Sequence, residues 1–190
     1  MSDADRKKWD AKYAAGAAPT EPSLLLTQLD NFLPSRGRAL DVAGGAGRHA
    51  IWLARRGLDV TLADISPAGL EIARTRAAAV GVSLSTSLVD LERDPIPQGP
   101  WDLIVSFHFL WKPLFQRFPK VLRPGGLLVV VQPTRSNLQR HDKPPVRYLL
   151  DDGELPTLVE QLEVIHYREG WLDEGRHDAL VVARRAKRDQ

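Results

Sequence analysis

Three glycines within four positions follow an acidic residue near position 40 of this 190-residue chain. Residues 39–50 read Ala-Leu-Asp-Val-Ala-Gly-Gly-Ala-Gly-Arg-His-Ala, so that Asp41 precedes Gly44, Gly45 and Gly47. Glycine lets backbone N–H groups approach a ligand closely, and the helical pattern that follows puts a helix N-terminus behind them. The turn therefore predicts a site for a nucleotide-like cofactor, and the charge of Asp41 bears on which one.

Two classes of cofactor fit this turn. Residues 45–50 match the glycine fingerprint of dinucleotide-binding proteins, with Asp64 about 20 residues further on. A carboxylate at position 41 would instead repel a diphosphate and attract a cation. Opposite charges about 4 Å apart attract by about 4 kcal/mol at an effective dielectric constant of about 20, before desolvation. S-adenosylmethionine (SAM) carries ammonium and sulfonium groups, so Asp41 favours SAM, and a dinucleotide-dependent oxidoreductase stays as the alternative.

Two further aspartates, Asp64 and Asp90, end the next two predicted strands. The carboxyl ends of adjacent parallel strands converge on one crevice of a sheet. Asp64 could there accept hydrogen bonds from both ribose hydroxyls, and Asp90 from the exocyclic amine of adenine, with Ile65 and Leu91 flanking the ring. Each aspartate alone could be a helix or turn cap. Three of them at three successive strand ends favour the cofactor interpretation.

Strands alternate with helices along the chain, which predicts a mostly parallel sheet covered on both faces. Helices are predicted at 9–16, 22–33, 47–56, 67–80, 115–122 and 154–160, and strands at 38–43, 58–63, 82–89, 101–107, 127–131, 162–168 and 179–183. The last two strands read as a hairpin. We therefore predict one three-layer α/β/α domain over residues 1–190, with an N-terminal helical cap over 1–35 and a polar, proline-containing segment at 134–149.

Composition excludes several classes of function. The chain has no cysteine, which excludes disulfides, thiolate metal sites and cysteine nucleophiles. A net charge of +2 does not indicate a nucleic-acid partner, and the basic stretch 183–188 is predicted to be a solvated terminus. No apolar run is long enough for a membrane span, and the first residues do not resemble a signal peptide. The prediction is a cytoplasmic protein without a membrane partner.

The motifs together resemble the class I SAM-dependent methyltransferases. Residues 40–48, the segment Asp64-Ile-Ser-Pro67, the pair Asp90-Leu91 and the turn Leu122-Arg-Pro-Gly-Gly126 occur in that family's order and spacing, although Ala43 stands where the family usually has its first glycine. The resemblance implies a Rossmann-like fold with a seven-stranded sheet in the order 3-2-1-4-5-7-6 and an antiparallel strand 7. It assigns Asp41 to the methionine end of SAM, Asp64 to the ribose and Asp90 to the adenine, with S-adenosylhomocysteine as product.

Within that superfamily, three segments are similar to the tellurite-resistance and thiopurine methyltransferase-like branch: Trp9-Asp-Ala-Lys-Tyr13, Thr20-Glu-Pro-Ser23 and residues 148–155. The resemblance implies that an N-terminal aromatic helix folds over the cofactor. Trp9 and Tyr13, four residues apart on one helical face, would then form part of a lid. The alternative is a hydrophobic staple that only holds the N-terminus.

The methyl acceptor is predicted to be a small molecule, with a thiolate or a chalcogen oxyanion preferred. His108 directly follows the fourth predicted strand and is the candidate for proton handling, unless a backbone group holds its imidazole. Phe107 could border the cofactor and Trp111 the acceptor. Neither strand 4 nor strand 5 ends in the carboxylates of a catechol-methyltransferase-type metal site, so no metal is predicted.

The segment 134–149 is predicted to cap the acceptor and to attract an anion. Arg135 and Arg147 flank it and are the candidate contacts, whereas Arg140 and Lys143 are expected in solvent. A non-catalytic SAM-binding or RNA-associated protein stays open beside the two enzyme classes.

Overall fold

The computed structural model describes residues 3–16 and 18–187. Both ends of the predicted domain, and the last residue of the basic stretch 183–188, lie outside these ranges. The sheet contains seven strands: β1 (Gly37–Val42), β2 (Leu58–Asp64), β3 (Ser85–Leu88), β4 (Trp101–Phe107), β5 (Leu122–Pro133), β6 (Glu163–Trp171) and β7 (His177–Arg184). Their order is β3-β2-β1-β4-β5-β7-β6. Strand β7 pairs antiparallel with both β5 and β6, whereas the other strand pairs are parallel, so the predicted topology is confirmed.

Six α-helices accompany the sheet in the described residues: α1 (Asp3–Ala14), α2 (Leu24–Thr27), α3 (Arg48–Arg55), α4 (Pro67–Ala79), α5 (Phe118–Val121) and α6 (Leu155–Leu158). Single 3₁₀ turns occupy Asp30–Phe32, Lys112–Leu114, Arg135–Gln139 and Val146–Tyr148. Among the described helices, none has the length and apolar character that crossing a membrane requires.

The alternation of side chains along each strand produces two separate hydrophobic cores. In β4, Ile104 points into the core that holds residues of α5 and α6, whereas Leu103 and Val105 point into the core that holds residues of α2, α3 and α4. These β4 residues are completely buried because successive side chains of a strand face opposite sides. The three-layer α/β/α prediction is therefore confirmed.

The boundaries of several elements differ from the sequence prediction. The predicted helix 22–33 consists of the short α2 followed by a 3₁₀ turn, and the predicted helix 115–122 is reduced to α5. Strand β3 covers only Ser85–Leu88 of the predicted 82–89, since this strand forms the edge of the sheet and has one neighbour. Strand β5 begins earlier than predicted and includes the Arg-Pro-Gly-Gly turn.

Candidate functional site

The backbone N–H groups of the glycine turn already have acceptors in the protein. Gly45 donates to Asp64 Oδ2 at 2.8 Å, Gly47 to the carbonyl of Gly44 at 3.0 Å, and Gly44 to the carbonyl of Ala63 at 3.4 Å. The expectation that these N–H groups would face a ligand is therefore wrong. The same bonds leave no donor on these three residues for a diphosphate.

Close approach explains why glycine is required here. A Cβ atom on Gly45, whose φ is +56°, would lie 2.0 Å from the Tyr13 hydroxyl. One on Gly44 would lie 2.4 Å from Asp41 Oδ2. The glycines thus make room for α1 above the turn and for the Asp41 carboxylate beside it.

Asp41 is 1% exposed and is paired at only one of its two oxygens. Its Oδ2 accepts a hydrogen bond from the N–H of Ala50 in the first turn of α3 at 3.1 Å, whereas the buried Oδ1 has no partner. Burial raises the pKa of Asp41 to about 7, against the opposing effect of the Ala50 N–H, and the charge of Asp64 raises it further. A buried carboxylate with one free oxygen is suited to a cation.

Asp64, at the end of β2, is held by backbone donors on both sides. Its Oδ2 accepts from Gly45 and its Oδ1 from the N–H of Ser66, both at 2.8 Å. Burial raises the pKa of Asp64 although these N–H groups favour the charged form. Each oxygen keeps a second lone pair, which a ribose hydroxyl could use.

A cleft of about 170 Å³ opens above these two carboxylates, at the carboxyl edge of the parallel strands. Its walls come from α1, the glycine turn, the start of α3, and the ends of β2 and β4. The predicted cofactor residues that line it are Trp9, Tyr13, Asp41, Ala43, Gly44, Gly47, Asp64, Ile65 and Phe107. Gly45 does not line the cleft, because Tyr13 covers it.

A second cavity of about 270 Å³ shares one lining residue, Ile65, with the cleft. Asp90 lines this second cavity, and its Oδ1 accepts from the N–H of Glu92 at 3.1 Å. Asp41 and Asp64 thus line the cleft, and Asp90 lines the neighbouring cavity. Leu91 is 1% exposed and packs into the hydrophobic core instead of either cavity wall, so its contact with an adenine ring stays a prediction.

Helix α1 forms one wall of the cleft. The rings of Trp9 and Tyr13 stack with their centroids 5.9 Å apart, and both line the cleft. Asp10 fastens the helix to the start of α4, where its Oδ1 accepts from the Ser66 hydroxyl at 2.5 Å and from the Ala68 N–H at 3.3 Å. This arrangement favours the lid interpretation over a staple remote from the ligand.

A third and larger cavity, of about 510 Å³, adjoins the cleft. We call it the acceptor cavity, and it is lined by Asp5, Lys8, Trp9, Lys12, Glu92, His108, Phe109, Leu110, Gln132, Pro133, Lys143, Pro144, Pro145, Tyr148 and Arg176. Four of these residues are cationic and two are acidic. Gln132 is 1% exposed, and its buried Oε1 has no partner. The cavity offers apolar walls with an excess of positive charge.

The predicted acceptor contacts lie elsewhere. Arg135 pairs with Asp151 at 2.8 Å, Arg147 packs over the ring of Tyr148 at 4.7 Å, and neither lines the acceptor cavity. Trp111 packs against the core with the Arg117 guanidinium 4.6 Å from its ring. Lys143 is exposed, as expected, and it also lines the cavity. The segment 134–149 thus contributes a wall through its proline-rich middle and Tyr148, but not through Arg135 or Arg147.

His108 lies where the cleft and the acceptor cavity meet, and it lines both. Its Nε2 is 3.3 Å from Oδ2 of Asp178 on β7, so the partner is a carboxylate and not the backbone group considered as the alternative. Ala43 (φ 53°) and His108 (φ 58°) are the two non-glycine residues with positive φ among those described. Both line the cleft, and strained backbone of this kind tends to cluster at functional sites.

Sequence reasoning missed several residues of this site. Arg48 and His49 begin α3 and line the cleft. Burial lowers the pKa of His49 to about 3, so its imidazole is neutral, and its ring lies 4.2 Å from that of Phe107. The position of Arg48 directly after the glycine turn was a usable signal. Asp10 and Asp178 are distant from the turn in sequence, and only the fold reveals their role.

One histidine and two carboxylates approach one another away from the cleft, within the part of the chain that the structure describes: Asp152, Glu169 and His177. Each is engaged by a neighbouring hydroxyl: Ser136 for Asp152, Tyr167 for Glu169 and Thr134 for His177. The bond between Thr134 and His177 connects the segment after β5 to the β6–β7 hairpin. None of the three lines the cleft or the acceptor cavity.

Comparison with known proteins gives a consistent result. A family model described as a methyltransferase domain matches residues 39–126. The chain is 31% identical over 143 residues to the tRNA 5-carboxymethoxyuridine methyltransferase of Escherichia coli K12, covering 68% of this chain and 54% of that protein. It is 35% identical over 102 residues to the demethylmenaquinone methyltransferase of Thermus thermophilus, covering 50% and 46%. The chain thus spans about half the length of the curated relatives it matches.

Solved structures show the same fold at lower sequence identity. TehB from Haemophilus influenzae superposes with a TM-score of 0.71 and 20% identity, over 94% of this chain and 67% of that one. A TehB-like SAM-dependent methyltransferase from Corynebacterium glutamicum gives a TM-score of 0.66 and 21% identity, over 98% and 97%.

Proposed function

Because this chain belongs to the class I SAM-dependent methyltransferase superfamily and its cofactor is SAM, we propose that it methylates a small anionic molecule. A thiol or a chalcogen oxyanion is the preferred acceptor. The resemblance found in the sequence is thereby confirmed at the level of the superfamily and the cofactor.

The observation that supports the cofactor side of the proposal is the unpaired Oδ1 of Asp41. It is a buried carboxylate oxygen without a partner, on a residue that lines the cleft, and the ammonium group of SAM would supply the missing partner. The guanidinium of Arg48 lines the same cleft and suits the carboxylate of the methionine moiety. The resemblance assigns Asp64 to the ribose and Asp90 to the adenine. The residues present fit SAM.

The dinucleotide alternative fits poorly. A diphosphate at the glycine turn would meet N–H groups that already donate to Ala63, Gly44 and Asp64. It would also lie beside the carboxylates of Asp41 and Asp64, and like charges at close range are unfavourable. The same two carboxylates favour a cationic donor.

Bound SAM supplies an electrophilic methyl group on a positively charged sulfur. The protein must orient the acceptor in line with that group and keep water out. Orientation alone can provide effective molarities of about 10⁵–10⁸ M. Trp9, His108 and Phe109 line both the cleft and the acceptor cavity, so they border the place where the two molecules meet.

The acceptor cavity supports a small anionic substrate. Its volume of about 510 Å³ lies within the range of small-molecule sites, about 300–1,000 Å³. Its lining contains more cationic than acidic residues: Lys8, Lys12, Lys143 and Arg176 against Asp5 and Glu92. The prolines and Phe109 add apolar surface. An acceptor that combines an apolar body with an anionic group is therefore favoured.

A second candidate acceptor is a carboxylate carried by an RNA nucleoside. The Escherichia coli relative is named for tRNA 5-carboxymethoxyuridine, and a carboxylate also suits the cationic lining. The net charge of +2 supplies little of the long-range attraction that RNA binding uses. We rank this candidate below a free small molecule.

The proposal is tested by an assay for S-adenosylhomocysteine release. The panel comprises aliphatic thiols, thiopurines, selenite, tellurite, phenols and unmodified and carboxymethoxyuridine-containing tRNA. We expect turnover with one or more thiols or chalcogen oxyanions and none with tRNA. Turnover with tRNA alone would contradict the small-molecule assignment, and SAM binding without turnover on any substrate would indicate a non-catalytic protein.

A further inference from the structure

The place where the cofactor cleft and the acceptor cavity meet contains one group that can take up a proton. Three residues line both spaces: Trp9, His108 and Phe109. Indole and phenyl rings cannot act as bases near neutral pH, whereas imidazole can. Of these three residues, His108 is therefore the one that can accept a proton from an acceptor bound at this junction.

His108 is held in place from two sides. Its backbone has a φ of +58°, a conformation that is uncommon for a non-glycine residue. Its Nε2 lies 3.3 Å from Asp178 Oδ2, a contact that is long but typical of a site without its substrate. With Nε2–H donating to the carboxylate, Nδ1 is the nitrogen with a free lone pair.

Asp178 is a buried carboxylate on β7 with two cationic or potentially cationic neighbours. The guanidinium of Arg176 lies 3.2 Å from the same Oδ2 that faces His108, and Oδ1 has no partner. Burial alone would raise the pKa of Asp178, but the hydrogen bonds and charges of His108 and Arg176 outweigh it and hold that pKa below its ordinary value. Asp178 is therefore an anion that can stabilise a protonated His108.

Other charged and titratable groups line the two spaces that meet at His108. From α3, His49 and Arg48 line the cleft beside it. From α1, Asp5, Lys8 and Lys12 line the acceptor cavity, as do Glu92 and Lys143. Asp178 is the carboxylate in direct contact with the ring.

We propose that His108 takes the proton from a protonated acceptor, that Asp178 and Arg176 position it, and that, of the two preferred acceptor classes, thiols are the one that uses this base. The inference rests on the proposed function and narrows it. As the sulfur lone pair of the acceptor forms a bond to the methyl carbon, the bond from that carbon to the donor sulfur breaks and its electron pair stays on the donor. The thiol proton passes to Nδ1 of His108, and later to water. A chalcogen oxyanion is already ionised and would gain nothing from this arrangement.

The test uses a series of thiols whose pKa values lie above and below the assay pH. The protein is varied as His108→Asn, because asparagine tolerates a positive φ better than most residues. A matched control is His166→Asn, since His166 on β6 packs against Phe32 away from both cavities. Asp178→Asn is the positioning variant. Thermal unfolding and the Kd for SAM are measured for each, so that a folding defect is recognised.

We expect His108→Asn to lose about 10²–10⁴-fold in kcat for thiols that are protonated at the assay pH, the usual contribution of a positioned base. Thiols that are already ionised should lose less than about threefold, and the acid limb of the kcat profile should disappear. Asp178→Asn should show a smaller loss with the same dependence on thiol pKa. The control and the SAM Kd should be unchanged.

An equal loss for all thiols, or an intact acid limb in His108→Asn, would overturn the role of His108. Turnover confined to selenite or tellurite would overturn the thiol assignment. In either case the wild-type protein still releases S-adenosylhomocysteine, so the proposed function stands. Absence of release with every acceptor would refute the proposed function itself.

Discussion

The buried Asp41 carboxylate should make the SAM-free protein less stable as pH rises. Its pKa moves from 3.8 to about 7 on folding, because burial disfavours the charged form more than the Ala50 N–H favours it. An acidic group whose pKa is higher in the folded state than in the unfolded state favours folding most at pH values below its unfolded-state pKa. That contribution is lost as pH rises through the folded value. The window of loss is therefore about pH 4 to 7.

The magnitude follows from the size of the shift. About three pKa units at 1.36 kcal/mol each give at most about 4 kcal/mol above pH 7. In Asp41→Asn the amide oxygen can still accept from Ala50, but its N–H₂ group is buried without an assigned acceptor, at a cost of about 1–3 kcal/mol. We expect a net gain of about 2 kcal/mol at pH 8, or about 4–8 °C in Tm for a chain of this length. At pH 4 the gain should vanish or reverse.

Calorimetric unfolding of the SAM-free protein at pH 4, 6 and 8 measures this difference. Asp59→Asn is the control, because Asp59 is an exposed aspartate on β2. It should differ little from the wild type at all three pH values. A difference between Asp41→Asn and the wild type that does not change from pH 4 to pH 8 would refute the reasoning about the buried charge.

Four further variants test the walls of the site. Gly45→Ala places a methyl group against the Tyr13 hydroxyl. It should displace α1 and weaken SAM binding at least tenfold. Unchanged affinity for SAM would show that α1 does not contact bound SAM. Asp10→Ala removes the bonds from α1 to α4 and should raise protease cleavage between residues 3 and 30 without SAM; unchanged cleavage would argue against that attachment. Lys143→Glu should raise the KM for the acceptor about tenfold, whereas Arg147→Glu should leave that KM unchanged. The reverse pattern would support Arg147 as the acceptor contact, as predicted from the sequence.

Local sequence signals predicted the fold well where burial is continuous. Strand β4 has the predicted bounds because its run of apolar residues faces a core on each side. The predicted helix 22–33 has apolar residues at helical spacing, yet the chain turns after α2 to place Leu29 and Leu33 in the core. Tertiary packing there outweighs a periodic pattern, as short helices gain most of their stability from contacts.

The candidate site was predictable where its chemistry is local. Asp41, Asp64 and Asp90 end successive strands, so their convergence follows from the parallel sheet. The acceptor side depends on contacts across the chain. His108 and Asp178 are 70 residues apart, and the antiparallel β7 brings them together. Spacing alone carries no signal for such a pair.

The wrong inference about the glycine N–H groups has a physical cause. The sequence shows that Gly44, Gly45 and Gly47 permit close approach, but it does not show what approaches. In the structure the neighbours are parts of the protein: the Asp41 carboxylate, the Tyr13 hydroxyl and the Ala73 side chain. Only coordinates distinguish a cradle for a ligand from a tightly packed turn.

Titration calorimetry of SAM into the wild type and Asp41→Asn at pH 8 tests the central claim most directly. A hydrogen bond to a charged group contributes about 1.5–3 kcal/mol, so the variant should bind SAM about 10- to 150-fold more weakly. NAD should give no saturable heat with either protein. Equal affinity of the two proteins for SAM, or tight binding of NAD in its place, would contradict a cationic donor at this carboxylate.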